Sequence, residues 1–323
     1  MFIEIQAIIN QQITNCGVLL NIGSIMITRI INFKLIKHFF FSTFFMLIFA
    51  GSITGAKRDE EDIRWQETSL ELDSLPFNQN FIDSLKAEYQ ITPHIESMRS
   101  LSKVIPCTAE TLVYEVHWGP FRAGYLILTV EPVQHNKTIR LGGKALSSNF
   151  ISAFYKMRDY VISTVDSEGL YPLFFEQHIR EGKKYKSDRW ILYDHAAKKA
   201  VIKERELKEI ESPQFLHDYL SLLYQVRSMK TEPGDTFCFN IYLHKKVYPL
   251  WFQCKESKEI NVDCGTFKCT LIEPKLVGDG ETFNRKDRIE VWISNDSRKM
   301  PIQIKSKIKF GAISARLIYF SKI

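Results

Sequence analysis

Ready-made catalytic signatures are missing from this sequence. It contains no GxSxG, HExxH, GxxxxGK[ST] or GxGxxG. That removes the usual marks of a serine hydrolase, a zinc peptidase, a P-loop and a dinucleotide site. Basic residues form no run and the formal charge is only +6, so the electrostatic footprint of a nucleic-acid binder is absent. No apolar stretch approaches the roughly 20 residues of a comfortable membrane span. Cysteine is scarce: six in all, with Cys16 near the start and Cys107, Cys238, Cys254, Cys264 and Cys269 beyond it. Five is odd, so at least one of these stays free or pairs between chains. Cys238 and Cys254 flank a hairpin and fall either opposite each other or on different faces. Cys264 and Cys269 have a CxxxxC spacing, but no second Cys or His pair completes a zinc set. Packing cysteines are expected, with no metal and no cofactor.

What is present is a globular balance. Of 323 residues, 45% are hydrophobic, 13% aromatic and 25% charged. That excludes a mainly disordered chain, a collagen-like repeat and a disulfide miniprotein. The apolar residues are uneven, however. His38 to Ala50 reads HFFFSTFFMLIFA, preceded by Arg29, Lys34 and Lys37 and followed by small residues up to Ala56. A basic region, a short apolar core and a small-residue exit form a secretory signal. Met26 is the expected start, with 1–25 an upstream extension that carries one charge, Glu4. The expected divisions are 1–25, a signal over 26–56, a polar entry over 57–106 with a short helix within 80–90, and one β domain over 107–323. An uncleaved N-terminal anchor is the alternative to the signal.

From Thr108 onward the pattern alternates with period two, the mark of half-buried strands. In ETLVYEVHWG (110–119), Leu112, Tyr114, Val116 and Trp118 share one face. IQIKSKIKF (302–310) sets Ile302, Ile304, Ser306, Ile308 and Phe310 against Gln303, Lys305, Lys307 and Lys309. About a dozen such segments alternate with turn signals. One helical stripe interrupts them over 213–229, with Ser212-Pro213 as its start signal. The expected fold is mainly β: an antiparallel curved sheet, half-barrel or barrel-like sandwich of about 12 strands with one packed helix.

Several segments stand in a telling order: LVYEVHWGPFRAGYLILTVEP (112–132), FYKMRDYVISTVDSEGLYPLFFEQHIREG (154–182), QFLHDYLSLLYQVRSM (214–229), EPGDTFCFNIYLHKKVYPLWFQ (232–253), GTFKCTLIEP (265–274) and VWISNDSRKMPIQIKSKIKFGAISARL (291–317). Together they resemble the exported bacterial family catalogued as DUF3108, across about 107–320. The sequence departs from the family pattern at Asn295-Asp296 and in the turn Leu243-His244-Lys245-Lys246. The resemblance implies an all-β protein exported to the periplasm or outer envelope of a Gram-negative bacterium. It implies no established activity and supplies no catalytic residue.

Acid–base candidates are Glu115, His117, Arg158, Asp159, Asp166, Asp188, Arg189, Asp194 and His195. Each has an ordinary structural explanation, as a solvated strand position, a cross-strand partner or a turn residue. A curved sheet with a helix over its concave side suggests instead an apolar trough. Tyr114, Val116, Trp118, Phe174, Trp190, Phe237, Tyr248, Trp251 and Trp292 are the residues expected to line it, if they do not simply fill the core. The role expected is non-enzymatic: a binding, carrier or assembly factor for an apolar or envelope-derived ligand, with lipid or envelope polysaccharide as partner. A structural protein–protein module of the envelope and a glycan hydrolase are the alternatives.

Overall fold

Alternating side chains make strands here, and short turns order them. The computed structural model describes residues 109–133, 137–183, 185–243, 245–276, 289–308 and 311–321, together with Ala87, Met98 and Leu101. The chain divides into Met1–Met46 and Leu47–Ile323, and all that follows concerns the second unit. The expected leader and signal, and nearly all of the polar entry with its short helix, lie outside the described residues.

The strands are β1 (Glu110–Trp118), β2 (Phe121–Val133), β3 (Thr138–Ser147), β4 (Arg158–Asp166), β5 (Pro172–Glu181), β6 (Tyr185–Asp194), β7 (Lys199–Lys203), β8 (Leu207–Glu211), β9 (Thr236–Leu243), β10 (Lys246–Val262), β11 (Gly265–Leu276), β12 (Ile289–Ser294), β13 (Pro301–Ile308) and β14 (Gly311–Phe320). Helix α1 (Asn149–Tyr155) joins β3 to β4, and α2 (Tyr219–Arg227) lies between β8 and β9. All fourteen strands form one sheet in the order β8-β7-β6-β5-β4-β3-β2-β1-β14-β13-β12-β11-β10-β9. Every strand is antiparallel to its sheet neighbours. Chain neighbours are sheet neighbours throughout, except β8 and β9, which stand at opposite edges; the pairing that joins strands remote in the chain is the seam where β1 meets β14.

The sheet wraps around α2. Seven of the nine α2 residues are buried. The helix touches β3 and β4 on one side and β9 on the other, strands that lie far apart in the sheet. Leu222 and Val226 pack with Ile241, Leu250, Phe252 and Ile293. Gly143 lies beneath the helix on the β3 side: a Cβ there would stand 2.8 Å from Val161 Cγ2, so Val161 of β4 would have to shift, and 3.9 Å from Leu220 Cδ1, an ordinary contact with the helix. Tyr242 of β9 packs with Phe175, Ile191 and Ile202 of β5, β6 and β7. The two ends of the sheet thus approach one core, yet β8 and β9 do not pair. Among the described residues no helix is long and apolar enough to cross a membrane.

Four details depart from the sequence expectation. Fourteen strands replace about a dozen, in part because 199–208 breaks into β7 and β8 around Glu204–Glu206. The segments 246–255 and 258–264 form one strand, β10, bent by a bulge between Cys254 and Ser257. Its far half returns over β14, where Arg316 donates to the Asn261 carbonyl at 2.6 Å. A second helix, α1, is present. Finally, the long helix starts at Tyr219 rather than Pro213. Phe215 takes φ +59°, outside the helical region. His217 uses its backbone to pair with β9: its N–H donates to Asn240 O at 2.9 Å and its carbonyl accepts from Tyr242 N at 3.0 Å. Only after that pairing does Asp218 cap the helix, accepting from Leu220 N and Ser221 N at 2.8 Å each.

Candidate functional site

Two clusters of ionisable side chains stand out, and they differ in purpose. The first lies inside, on α2. Asp218 is buried and also accepts a hydrogen bond from Ser163 Oγ at 2.7 Å. Burial raises its pKa more than the bonds from Ser221, Ser163 and Leu220 lower it. At the other end of the helix, Arg227 is fully buried and donates two bonds to the Glu110 carboxylate, at 2.7 and 2.8 Å. It also donates to the carbonyls of Lys299 and Arg298, at 2.9 and 3.0 Å. Burial alone would lower its pKa, but the Glu110 carboxylate outweighs that and holds the guanidinium charged. These groups pin the helix to β4, to the start of β1 and to the β12–β13 turn. They are too deeply enclosed to meet a substrate.

The second cluster lies on the face of β3–β6 turned away from α2. Strand register lines up Lys144, Tyr160, His178 and Asp188 as direct cross-strand partners. The His178 ring bridges two carboxylates: Nδ1 to Asp188 Oδ1 at 2.6 Å and Nε2 to Glu176 Oε1 at 2.7 Å. Trp190 Nε1 donates to the same Glu176 oxygen at 3.2 Å, and Arg180 reaches Asp188 at 2.7 Å. Tyr160 lies nearly parallel to the imidazole, with centroids 6.4 Å apart and planes 14° apart. Trp190 meets it edge-on at 5.6 Å, and Lys144 Nζ sits 5.8 Å from the Tyr160 ring centre. Burial would lower the His178 pKa, but the hydrogen bonds to Glu176 and Asp188 win and raise it. Burial would raise the Asp188 pKa, yet His178 and Arg180 hold it below its ordinary value. An imidazolium donating from both nitrogens has no lone pair left to take a proton from a substrate. The cluster is a fixed cation between aromatic rings, flanked by carboxylates and two further cations.

The residues expected to line a trough fall on both sides of the sheet. Tyr114, Val116, Trp118, Phe237 and Tyr248 sit on the α2 side by alternation and register. Tyr114 is fully buried and donates to Pro301 O at 2.7 Å. Phe174, Trp190, Trp251 and Trp292 sit on the other side. Of these, Phe174 and Trp292 are buried, with Lys258 over the Trp292 ring at 4.1 Å, while Trp251 is exposed. The nine therefore do not converge on one trough. Phe237 stacks on Phe252, and Trp190 joins the His178 cluster.

The acid–base candidates scatter too. Glu115 pairs with His117 and lies 3.7 Å from Arg122. Arg158 donates to Met157 O, and Asp159 accepts from Arg180 N. Asp166 and Asp194 stabilise their own turns, and Arg189 pairs with Glu204 at 2.6 Å. His195 is buried between Pro172 O and Phe215 N. Only Asp188 belongs to the His178 cluster. Cys238, Cys254, Cys264 and Cys269 are free, and burial pushes the Cys254 and Cys269 thiols up to about 11 and about 12, far from reactive thiolates. Among the described residues no group of three or more His, Cys, Asp or Glu side chains is arranged to hold a metal ion.

Glu176 and His178 escaped the sequence reading, although a signal for them exists. Gly182, at φ +56°, marks a tight β5–β6 turn in a conformation that suits glycine. A hairpin about that turn pairs 178 with 188 and 176 with 190, which places His178, Asp188, Glu176 and Trp190 on one face.

The fold has known counterparts. A β-barrel-like protein of domain of unknown function DUF1849 from Brucella abortus superposes with a TM-score of 0.50 at 8% identity, covering 68% of this chain and 100% of its own. That likeness speaks for the fold alone. A protein with a YmcC-like fold from Bacteroides fragilis aligns over 69% of this chain and 100% of its own at 8% identity, but its TM-score of 0.29 carries no argument. Comparison with curated proteins finds no match. The family comparison is decisive: residues 113–318 match the model described as "Protein of unknown function (DUF3108)", and the chain belongs to that family.

Proposed function

We propose that the protein is an exported, envelope-associated binding or assembly factor. In this reading it holds an envelope-derived ligand and does not transform it. The observation that carries the proposal is the locked His178 ring. Both nitrogens are tied to carboxylates, so the most concentrated set of ionisable groups on the outer face is built for fixed recognition. The chemistry suits a polysaccharide fragment. Half-buried Tyr160 and Trp190 offer ring faces and edges to sugar C–H groups, while the partly exposed Arg180 supplies donors for hydroxyls or acid groups. An apolar cargo held inside the sheet is the weaker form of the proposal, because α2 already occupies the concave side.

Titration of the purified protein with polysaccharide fragments from its own envelope tests this. Saturable binding that falls at least about tenfold in Tyr160→Ala, the cost of losing one aromatic contact in a small site, is the expected result. Failure of any envelope fragment to bind, or equal binding by Tyr160→Ala, would overturn it. Export has its own check: N-terminal sequencing of the protein from cells should begin after Ala56.

A further inference from the structure

Antiparallel pairing gathers the β1–β2, β3–β4, β5–β6, β7–β8 and β9–β10 connections at one end of the sheet. The approach of Lys245 Nζ to Glu204 Oε2, at 3.9 Å, shows that the last two meet there. This end carries α1, whose Phe150 and Phe154 are 42% and 76% exposed. Four residues apart, they share one side of the helix, and their rings meet edge to face at 5.7 Å. Large apolar side chains this exposed are few among the described residues: these two, Trp251 and Tyr319. The helix that carries the pair is tied down at both ends. Ser148 caps α1 at Ile151 N, and Tyr155 Oη donates to Glu181 at 2.6 Å. The exposed Lys156 closes α1, and the exposed Lys183 and Lys186 flank the β5–β6 turn, whose Gly182 N–H donates to Lys156 O; Lys245 and Lys246 are exposed on the β9–β10 turn at the same end of the sheet. In the β7–β8 connection, Glu204 is engaged by Arg189 and Lys245, while Glu206 beside it is exposed next to the exposed Arg205.

We infer that this end docks on the surface of an anionic phospholipid bilayer. An exposed aromatic pair with lysines at the same end of the sheet matches both layers of such a surface. The rings reach the boundary between headgroups and acyl chains, and the ammonium groups face the lipid phosphates. The inference goes beyond the glycan proposal and uses different residues, so either can fail alone.

Flotation of the full chain with vesicles tests it, using phosphatidylcholine alone or mixed with phosphatidylglycerol. The wild type should prefer the anionic vesicles, and less so in high salt. Phe150→Ser/Phe154→Ser should reduce that partitioning by about tenfold or more, since two buried rings are removed from the interface. Lys156→Glu/Lys183→Glu/Lys186→Glu should abolish the anionic preference. Tyr160→Ala should bind vesicles as the wild type does, which separates this surface from the glycan row. Circular dichroism checks that each variant is folded. Equal binding to both vesicle types, or partitioning unchanged in both the Phe and the Lys variants, would overturn the inference.

Discussion

The two helices of this protein are placed on the same sheet and do opposite things. Helix α2 buries seven of its nine residues and touches strands on both sides of the curve. Helix α1 buries Ile151 alone among its seven residues and turns two phenylalanines outward. Both begin with a capping side chain, Ser148 or Asp218. The cap therefore says where a helix starts and nothing about what it is for. What separates them is the commitment of their polar groups. On α2, a carboxylate and a guanidinium are buried and fully engaged, which fixes the helix as part of the core. On α1, the polar bonds run along its base and leave one side unclaimed.

The contrast can be broken hardest at Arg227. Arg227→Ala strands a buried Glu110 carboxylate and two carbonyls, and should cost about 3–5 kcal/mol in denaturant unfolding. Arg227→Met with Glu110→Leu should recover much of that loss, because the desolvation of both charges disappears together. Asp218→Ala comes next, at about 1–2 kcal/mol from the lost cap, with the Ser163 hydroxyl left unpartnered by this carboxylate. The His178 row supplies a pH-dependent test of the sheet between the helices. Its folded pKa is raised, so its contribution is complete below the ordinary histidine value and is lost as pH rises through the folded pKa. Asp188 is lowered, so its share is present above the ordinary carboxylate value and is lost as pH falls through its folded pKa. The stability gap between wild type and His178→Gln, measured by denaturation across pH, should therefore be widest in mildly acidic solution and narrow towards alkaline pH. The smallest effect is expected on α1. Phe154→Ser should change unfolding free energy by no more than about 0.5 kcal/mol, since the ring is 76% exposed. A loss of several kcal/mol there would erase the contrast between the helices.

Much of the fold was legible because alternation is a local property. Leu112, Tyr114 and Val116 on β1, and Ile302 and Ile304 on β13, are buried where their spacing put them. Gln303 is buried too, against its place in the polar set, because the far half of β10 returns over this side of β13 and β14. The apolar stripe of α2 was equally plain, but its first residue was not. The residues before Tyr219 are helix-compatible on their own and are drawn out by pairing with β9, a contact remote in sequence. The candidate site was less legible. His178 draws its meaning from Glu176, Asp188, Tyr160 and Lys144, which lie on four strands. Single-strand patterns record which side a residue faces, not which residue stands beside it. The β5–β6 hairpin was the one piece within reach.

The seam between β1 and β14 bears on the order in which the chain can assemble. The rest of the sheet pairs chain neighbours, so most of it can form from short-range contacts as the chain emerges. The middle cannot. The open edge of β1 waits for β14, and just beyond that strand the Ser321 N–H closes on Thr111 O at 2.9 Å. Until then β1 offers a bare row of donors and acceptors, the template on which misassembly starts. A chain without β14 (Gly311–Phe320) would lose far more than one strand. It would be left as two partial sheets, one on each side of an unfilled gap.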